Sequence, residues 1–127
     1  MIRVAIAEDH PEMRIALRML LRLSEDIELV GEMTNGREAL DCIQSLQPDV
    51  LVMDIRMPEM TGLEAARQIT ALGVKTRIVL ISSSKGSSTI MRVIEAGAQG
   101  FVPKEDIAAF LLLAINTVHR GETFFVN

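Results

Sequence analysis

Glu8, Asp9, Asp54, Ser82 and Lys104 are the residues whose types could do chemistry together, and each follows a short apolar run. Three carboxylates brought into one place repel one another unless a cation sits among them. Mg²⁺ suits such a set, because it takes oxygen ligands, often one or two carboxylates with water and phosphate oxygens. A carboxylate there can act as a nucleophile toward a phosphoryl group. The cation and the Lys104 ammonium would neutralise the charge that develops, and Ser82 would give a hydroxyl hydrogen bond to a phosphoryl oxygen. Asp54 ends the run that is apolar on both faces, which makes it the natural acceptor. Taken singly, each of these is an ordinary solvated loop residue; their joint placement is what argues for a site.

That placement depends on the elements that carry them. Ile2–Ala7, Ile27–Met33, Val50–Met53, Arg77–Ile81 and Gly100–Val102 read as strands. Helical spacing of Met13, Leu17, Leu20 and Leu21 marks a first helix from Glu12 to Ser24, with Pro11 suited to its first turn. Asn35-Gly36 turns the chain, and Ala39, Leu40, Ile43 and Leu46 stripe a second helix that Pro48 breaks. Thr61 and Glu64 form a capping-box pattern opening a third helix through about Leu72. Ser82–Ser88 reads as a flexible Ser/Gly loop, Thr89–Ala96 as a helix stopped by Gly97, and Ile107–His119 as the last helix. Five strands alternating with five helices imply a parallel sheet covered on both faces. Ligands in that architecture sit beyond the carboxyl ends of the strands, where the five polar residues fall.

Composition narrows the classes. The 127 residues are 49% apolar and 24% charged, enough for one domain with its own core and too apolar for disorder. A net charge of −4, with no Trp and no Tyr, argues against nucleic-acid binding by these residues. The longest apolar run, Ile107–Ile115, falls well short of the about 20 residues a bilayer span needs. Single Cys42 permits no internal disulfide and fits a reducing, cytoplasmic setting; on a helix it reads as a small core residue.

The residues together resemble the receiver domain of two-component response regulators. The matched pieces are Glu8-Asp9; Val50 through Asp54 to Met57-Pro58, with Gly62; Ile78–Ser82; and Gly97-Ala98 through Gly100-Phe101 to Lys104. Glu8-Asp9-His10 and Glu95–Phe101 look most like the NarL/FixJ (LuxR-type) subfamily, whose members often carry a C-terminal helix-turn-helix. The resemblance implies a flavodoxin-like (CheY-like) doubly wound α/β fold, with five parallel strands in the order 2-1-3-4-5 and five helices. It implies a receiver domain over 1–121, with 122–127 as a tail or the start of a linker to an output domain.

By the same resemblance, Asp54 accepts a phosphoryl group from a histidine kinase or phosphotransfer protein. Glu8, Asp9, Asp54 and the backbone carbonyl of Arg56 bind Mg²⁺. Ser82 and Lys104 contact the phosphate, and Phe101 is the switch aromatic that turns inward as Ser82 moves. The domain is then a signalling switch rather than an enzyme, apart from its own phosphoryl transfer and dephosphorylation. The output is transcription through a helix-turn-helix domain outside this chain. The alternative is a stand-alone or non-phosphorylated receiver acting as a protein-interaction module. Three departures from the common pattern are Glu8 for Asp, Phe101 for Tyr, and Pro103 before Lys104 rather than a Pro after it. A phosphatase of the haloacid dehalogenase type would need Asp-x-Asp where Arg56 stands, and no Gly-rich phosphate loop follows the first strand.

Three further features carry expectations. His10 beside the acidic pair reads as an exposed loop histidine, and His119 as a helix-end residue suited to the dipole. Arg14, Arg18 and Arg22 recur every four residues, as a solvated cationic face or a docking stripe. On the last helix, Ile107, Phe110, Leu111, Ala114 and Val118 form one apolar stripe. Ala108, Leu112 and Ile115 form a second, expected to contact another copy or domain.

Overall fold

The computed structural model describes residues 1–127. In chain order the elements are β1 (Ile2–Ala7), α1 (Pro11–Arg22), β2 (Ile27–Met33), α2 (Gly36–Leu46), β3 (Val50–Asp54), α3 (Gly62–Ala71), β4 (Arg77–Ser82), α4 (Ser87–Glu95), β5 (Gly100–Pro103), α5 (Ile107–His119) and β6 (Phe124–Phe125). A single 3-10 turn, Lys104–Asp106, joins β5 to α5. The sheet runs β2-β1-β3-β4-β5-β6, parallel throughout.

β3 is buried along its whole length, as a run apolar on both faces requires of a central parallel strand. Strand alternation sorts the core onto two faces. Val4, Ile6, Val52, Val79 and Ile81 meet Leu17 of α1 and Leu111, Ile115 and Val118 of α5. Ala5, Ala7, Leu51, Met53, Leu80 and Phe101 meet Ile43 of α2, Ala65 and Ile69 of α3, and Val93 of α4. The expected doubly wound fold is therefore present.

Helix starts follow local chemistry. Pro11 is at the first helical position of α1, where a missing N–H costs nothing. Asn35 caps α2 by accepting the Glu38 N–H at 2.8 Å, while the Glu38 carboxylate accepts from the Thr34 N–H and hydroxyl at 2.6 and 2.7 Å. The expected turn at Asn35-Gly36 is thus a cap and a first helical residue. At α3 the box is half made: Thr61 Oγ1 accepts the Glu64 N–H at 3.2 Å, with no return bond from Glu64.

Four expectations need correction. The Ser82–Ser88 stretch is not all loop, since Ser82 ends β4 and Ser87 begins α4 behind Gly86 at φ +106°. Cys42 is half-exposed rather than in the core. The sheet has six strands rather than five: within the 122–127 segment expected as a tail or linker start, Phe124–Phe125 adds a strand beside β5, with Phe124 and Val126 N–H donating to the Gln99 and Phe101 carbonyls at 3.0 and 2.9 Å. On α5 the two stripes are assigned differently. Ile115 is fully buried, so it belongs to the core and offers nothing to a second copy; Leu112 is half-buried against the same core. Phe110 is instead at the surface, its ring 6.2 Å from that of Phe124. No helix is long and apolar enough to cross a membrane.

Candidate functional site

The strand order brings Glu8, Asp54, Ser82 and Lys104 to the carboxyl ends of four neighbouring strands. Asp54 closes β3 and is 2% exposed; Glu8 follows β1 and is fully buried; Ser82 closes β4 at 1%. Lys104, the first residue after β5, reaches in so that Nζ donates to Asp54 Oδ2 at 2.8 Å and lies 3.1 Å from Glu8 Oε1. All peptide bonds are trans, so Pro103 continues β5 smoothly into this approach. The Arg56 N–H donates to Asp54 Oδ1 at 3.2 Å. Asp54 thus presents both oxygens to donors, one from the backbone and one from an ammonium.

The space around Asp54 is enforced from below by Gly62, whose N–H donates to the Ile55 carbonyl at 2.7 Å. A Cβ at Gly62 would stand 2.1 Å from the Asp54 carbonyl oxygen, so only glycine lets α3 start this close to the acceptor. Met57 is buried and Pro58 exposed in the intervening loop.

The charges here are out of balance. Three carboxylates face one ammonium, and Glu8, Asp9, His10 and Asp54 can bring one ligand atom each within 4.8 Å of one another. Glu8 Oε1 and Asp9 Oδ1 are buried without a hydrogen bond. The Lys104 contact with Glu8 is an ion-pair approach whose geometry falls short of a hydrogen bond. Desolvation pushes the Glu8 carboxyl above its ordinary pKa, and the neighbouring Asp54 charge adds to this, against the His10 N–H bond and Lys104. Burial works against the Lys104 ammonium, yet its contacts with Asp54 and Glu8 outweigh that and hold its pKa above the ordinary lysine value. Orphaned, desolvated carboxylate oxygens in a cluster of this size are a donor set suited to a hard divalent cation.

The remaining expected residues take these places. Ser82 Oγ accepts the Ser84 N–H at 3.1 Å, beside a small cleft lined by Arg56, Ser84, Thr89 and Arg92. Phe101 is fully buried, so its ring is already inside the core and no inward rotation is left for it to make from this arrangement. His10 is an exposed residue, as expected, yet its Nδ1 lies 3.5 Å from both Glu8 Oε2 and Asp9 Oδ1. The regular arginine spacing on α1 proves to be mostly internal pairing. Arg18 makes a two-pronged pair with Glu32 at 2.7 and 2.9 Å, and Arg14 lies 3.7 Å from the same residue. Arg14 also donates to the Glu8 carbonyl at 2.8 Å, a support for the site that its spacing on α1 did not reveal.

A family model described as the response regulator receiver domain matches residues 4–116. The chain is a response regulator receiver domain. Among curated proteins, this receiver is 38% identical over 125 residues to the transcriptional regulatory protein DesR of Bacillus subtilis, covering 98% of this chain and 62% of DesR. It is 31% identical over 119 residues to the nitrate/nitrite response regulator NarL of Escherichia coli, covering 94% of this chain and 55% of NarL. The receiver therefore spans about three fifths or less of the length of these relatives. Among solved structures, the receiver domain of the NarL-type regulator of Mycobacterium tuberculosis superposes with a TM-score of 0.90 at 31% identity, covering 95% of this chain and 98% of that one. The resemblance to the NarL/LuxR type is thus shown, and a receiver of this kind is a signalling module rather than an enzyme in the ordinary sense.

Proposed function

We propose that this receiver accepts a phosphoryl group on Asp54 from the phosphohistidine of a histidine kinase or phosphotransfer protein. The observation that carries this reading is a buried Asp54 hydrogen-bonded to Lys104, beside two carboxylate oxygens with no hydrogen-bond partner. An Asp54 oxygen attacks phosphorus in line, the nitrogen–phosphorus bond breaks, and the donor histidine leaves neutral or protonated. Lys104 passes from the Asp54 carboxylate to a phosphoryl oxygen. Ser82 gives up the Ser84 N–H and turns its hydroxyl to another phosphoryl oxygen. Glu8, Asp9, Asp54 and the Arg56 carbonyl would hold Mg²⁺. When bound, the ion neutralises charge on the transferring group and orients it. Arg14 fixes the backbone at Glu8, and Gly62 lets α3 start against the Asp54 backbone carbonyl.

Movement of Ser82 and Lys104 toward the phosphoryl group then alters the neighbouring α4–β5–α5 surface, a local charge event biasing a two-state element. Hydrolysis of the aspartyl phosphate at the same site resets it. The domain would act in the cytoplasm and control transcription through a helix-turn-helix domain; DesR is named a transcriptional regulatory protein, and a LuxR-family relative from Staphylococcus aureus a DNA-binding response regulator. Incubation with Mg²⁺ and acetyl phosphate should add one phosphoryl mass to the wild type and none to Asp54→Ala. A chain that gains no mass, or gains it equally in Asp54→Ala, is the non-phosphorylated interaction module instead.

A further inference from the structure

We infer that β6 is a reversible strap, seated on β5 and strengthened when the Asp54 site is loaded. This rests on the phosphoacceptor reading above. Strand β5 is only four residues long and lies between the Asp54 site and β6. Lys104 follows directly after it and is bonded to Asp54 at 2.8 Å. Its other edge carries β6, with Gly100 opposite Phe124 and Phe101 opposite Phe125. The Phe101 backbone therefore lies between β4 and β6, its carbonyl taking the Val126 N–H at 2.9 Å while its ring fills the core.

The strap is held lightly and on both faces. Phe125 packs with the cluster that contains Phe101; Phe124 and Val126 pack with the α5 side, where Phe124 meets Phe110. Its three apolar side chains are only half-buried, and it runs beside β5 for only two residue pairs, Gly100 with Phe124 and Phe101 with Phe125. Such an element belongs to the low-stability end of a fold, where small biases change its population. In the free state Lys104 is held by two carboxylates, 2.8 Å from Asp54 and 3.1 Å from Glu8. A phosphoryl group adds negative charge and acceptor oxygens around Lys104, which pins the end of β5 more firmly. A stiffer β5 costs β6 less ordering when it docks, and the linkage is reciprocal.

Amide exchange of the whole 127-residue chain, followed with and without Mg²⁺ and beryllofluoride, tests this. Bound beryllofluoride is counted independently by its fluorine resonance. Exchange at Phe124 and Val126 should slow on loading. Val126→Pro, which removes the N–H held by the Phe101 carbonyl, should weaken beryllofluoride binding by about five-fold or more. Phe125→Ala, which leaves the backbone donors in place, should weaken it in the same direction. Bound beryllofluoride with unchanged or faster exchange at both amides overturns the inference alone. No fluorine signal from bound beryllofluoride overturns the phosphoacceptor reading and the strap with it.

Discussion

The two ends of the same sheet are built on opposite plans. At the amino end the polar groups satisfy one another. Arg3 donates to the Leu46 and Gln47 carbonyls at 2.9 and 2.6 Å, Asp49 accepts the Arg3 N–H at 2.8 Å, and Thr76 Oγ1 donates to the Pro48 carbonyl at 2.7 Å. At the carboxyl end Glu8 Oε1 and Asp9 Oδ1 are left without hydrogen bonds. The amino end also holds the larger groove, about 560 Å³ between Gln44, Asp49, Lys75 and Thr76. Size therefore does not mark the site here. Unsatisfied carboxylate oxygens do, because a buried acceptor without a hydrogen bond is costly unless something else completes it.

Breaking the carboxyl end at its one cation should have the largest effect. Lys104→Ala leaves Asp54 and Glu8 without their counter-charge and should lower stability by about 3 kcal/mol in urea unfolding at pH 7 without metal. Mg²⁺ should restore part of that loss. Next, Gly62→Ala forces a methyl group against the Asp54 carbonyl and should cost about 2 kcal/mol, together with most of the phosphoryl uptake. At the amino end, Thr76→Val removes one satisfied hydrogen bond and should cost about 1 kcal/mol, leaving phosphoryl uptake unchanged. Reduced uptake in Thr76→Val would erase the contrast between the two ends.

The smallest effect is a pH dependence with a definite sign. The Glu8 carboxyl titrates above its ordinary value of 4.5 in the folded state, so the folded chain holds a proton that the unfolded chain has released. Its contribution to stability is fully present below pH 4.5 and is lost as pH rises through the raised value. Without metal, Glu8→Gln should therefore be more stable than wild type at pH 7, and the gap should close as pH falls toward 4.5. Mg²⁺ affinity should run the other way and weaken as Glu8 takes up its proton. A gap that widens on acidification would show that desolvation does not govern Glu8.

Much of this was legible in the residues alone. Strands with two apolar faces or a regular alternation declare themselves, and a parallel sheet sends the residue after each strand to one edge. That logic alone sends Glu8, Asp54, Ser82 and Lys104 to one edge of the sheet. Other features depend on partners far along the chain. A two-residue β6 has no periodicity of its own and exists only because β5 leaves an open edge for it. α5 is apolar nearly all round, so spacing could not say that Ile115 faces the core while Phe110 stays outside with Phe124. Arg14 looked like one member of a surface row, and only the close packing of α1 on β1 and β2 reveals its bonds to Glu8 and Glu32.

A titration of the chain with Mg²⁺, read as amide chemical shifts, tests most directly whether the carboxyl end is completed by a cation. Saturable shifts should gather at Glu8, Asp9, Asp54, Arg56 and Lys104, with none at Asp49, Lys75 or Thr76, and should vanish in Asp54→Ala. Shifts centred on the Asp49 groove, or no saturable shifts at the acidic cluster, would contradict the account.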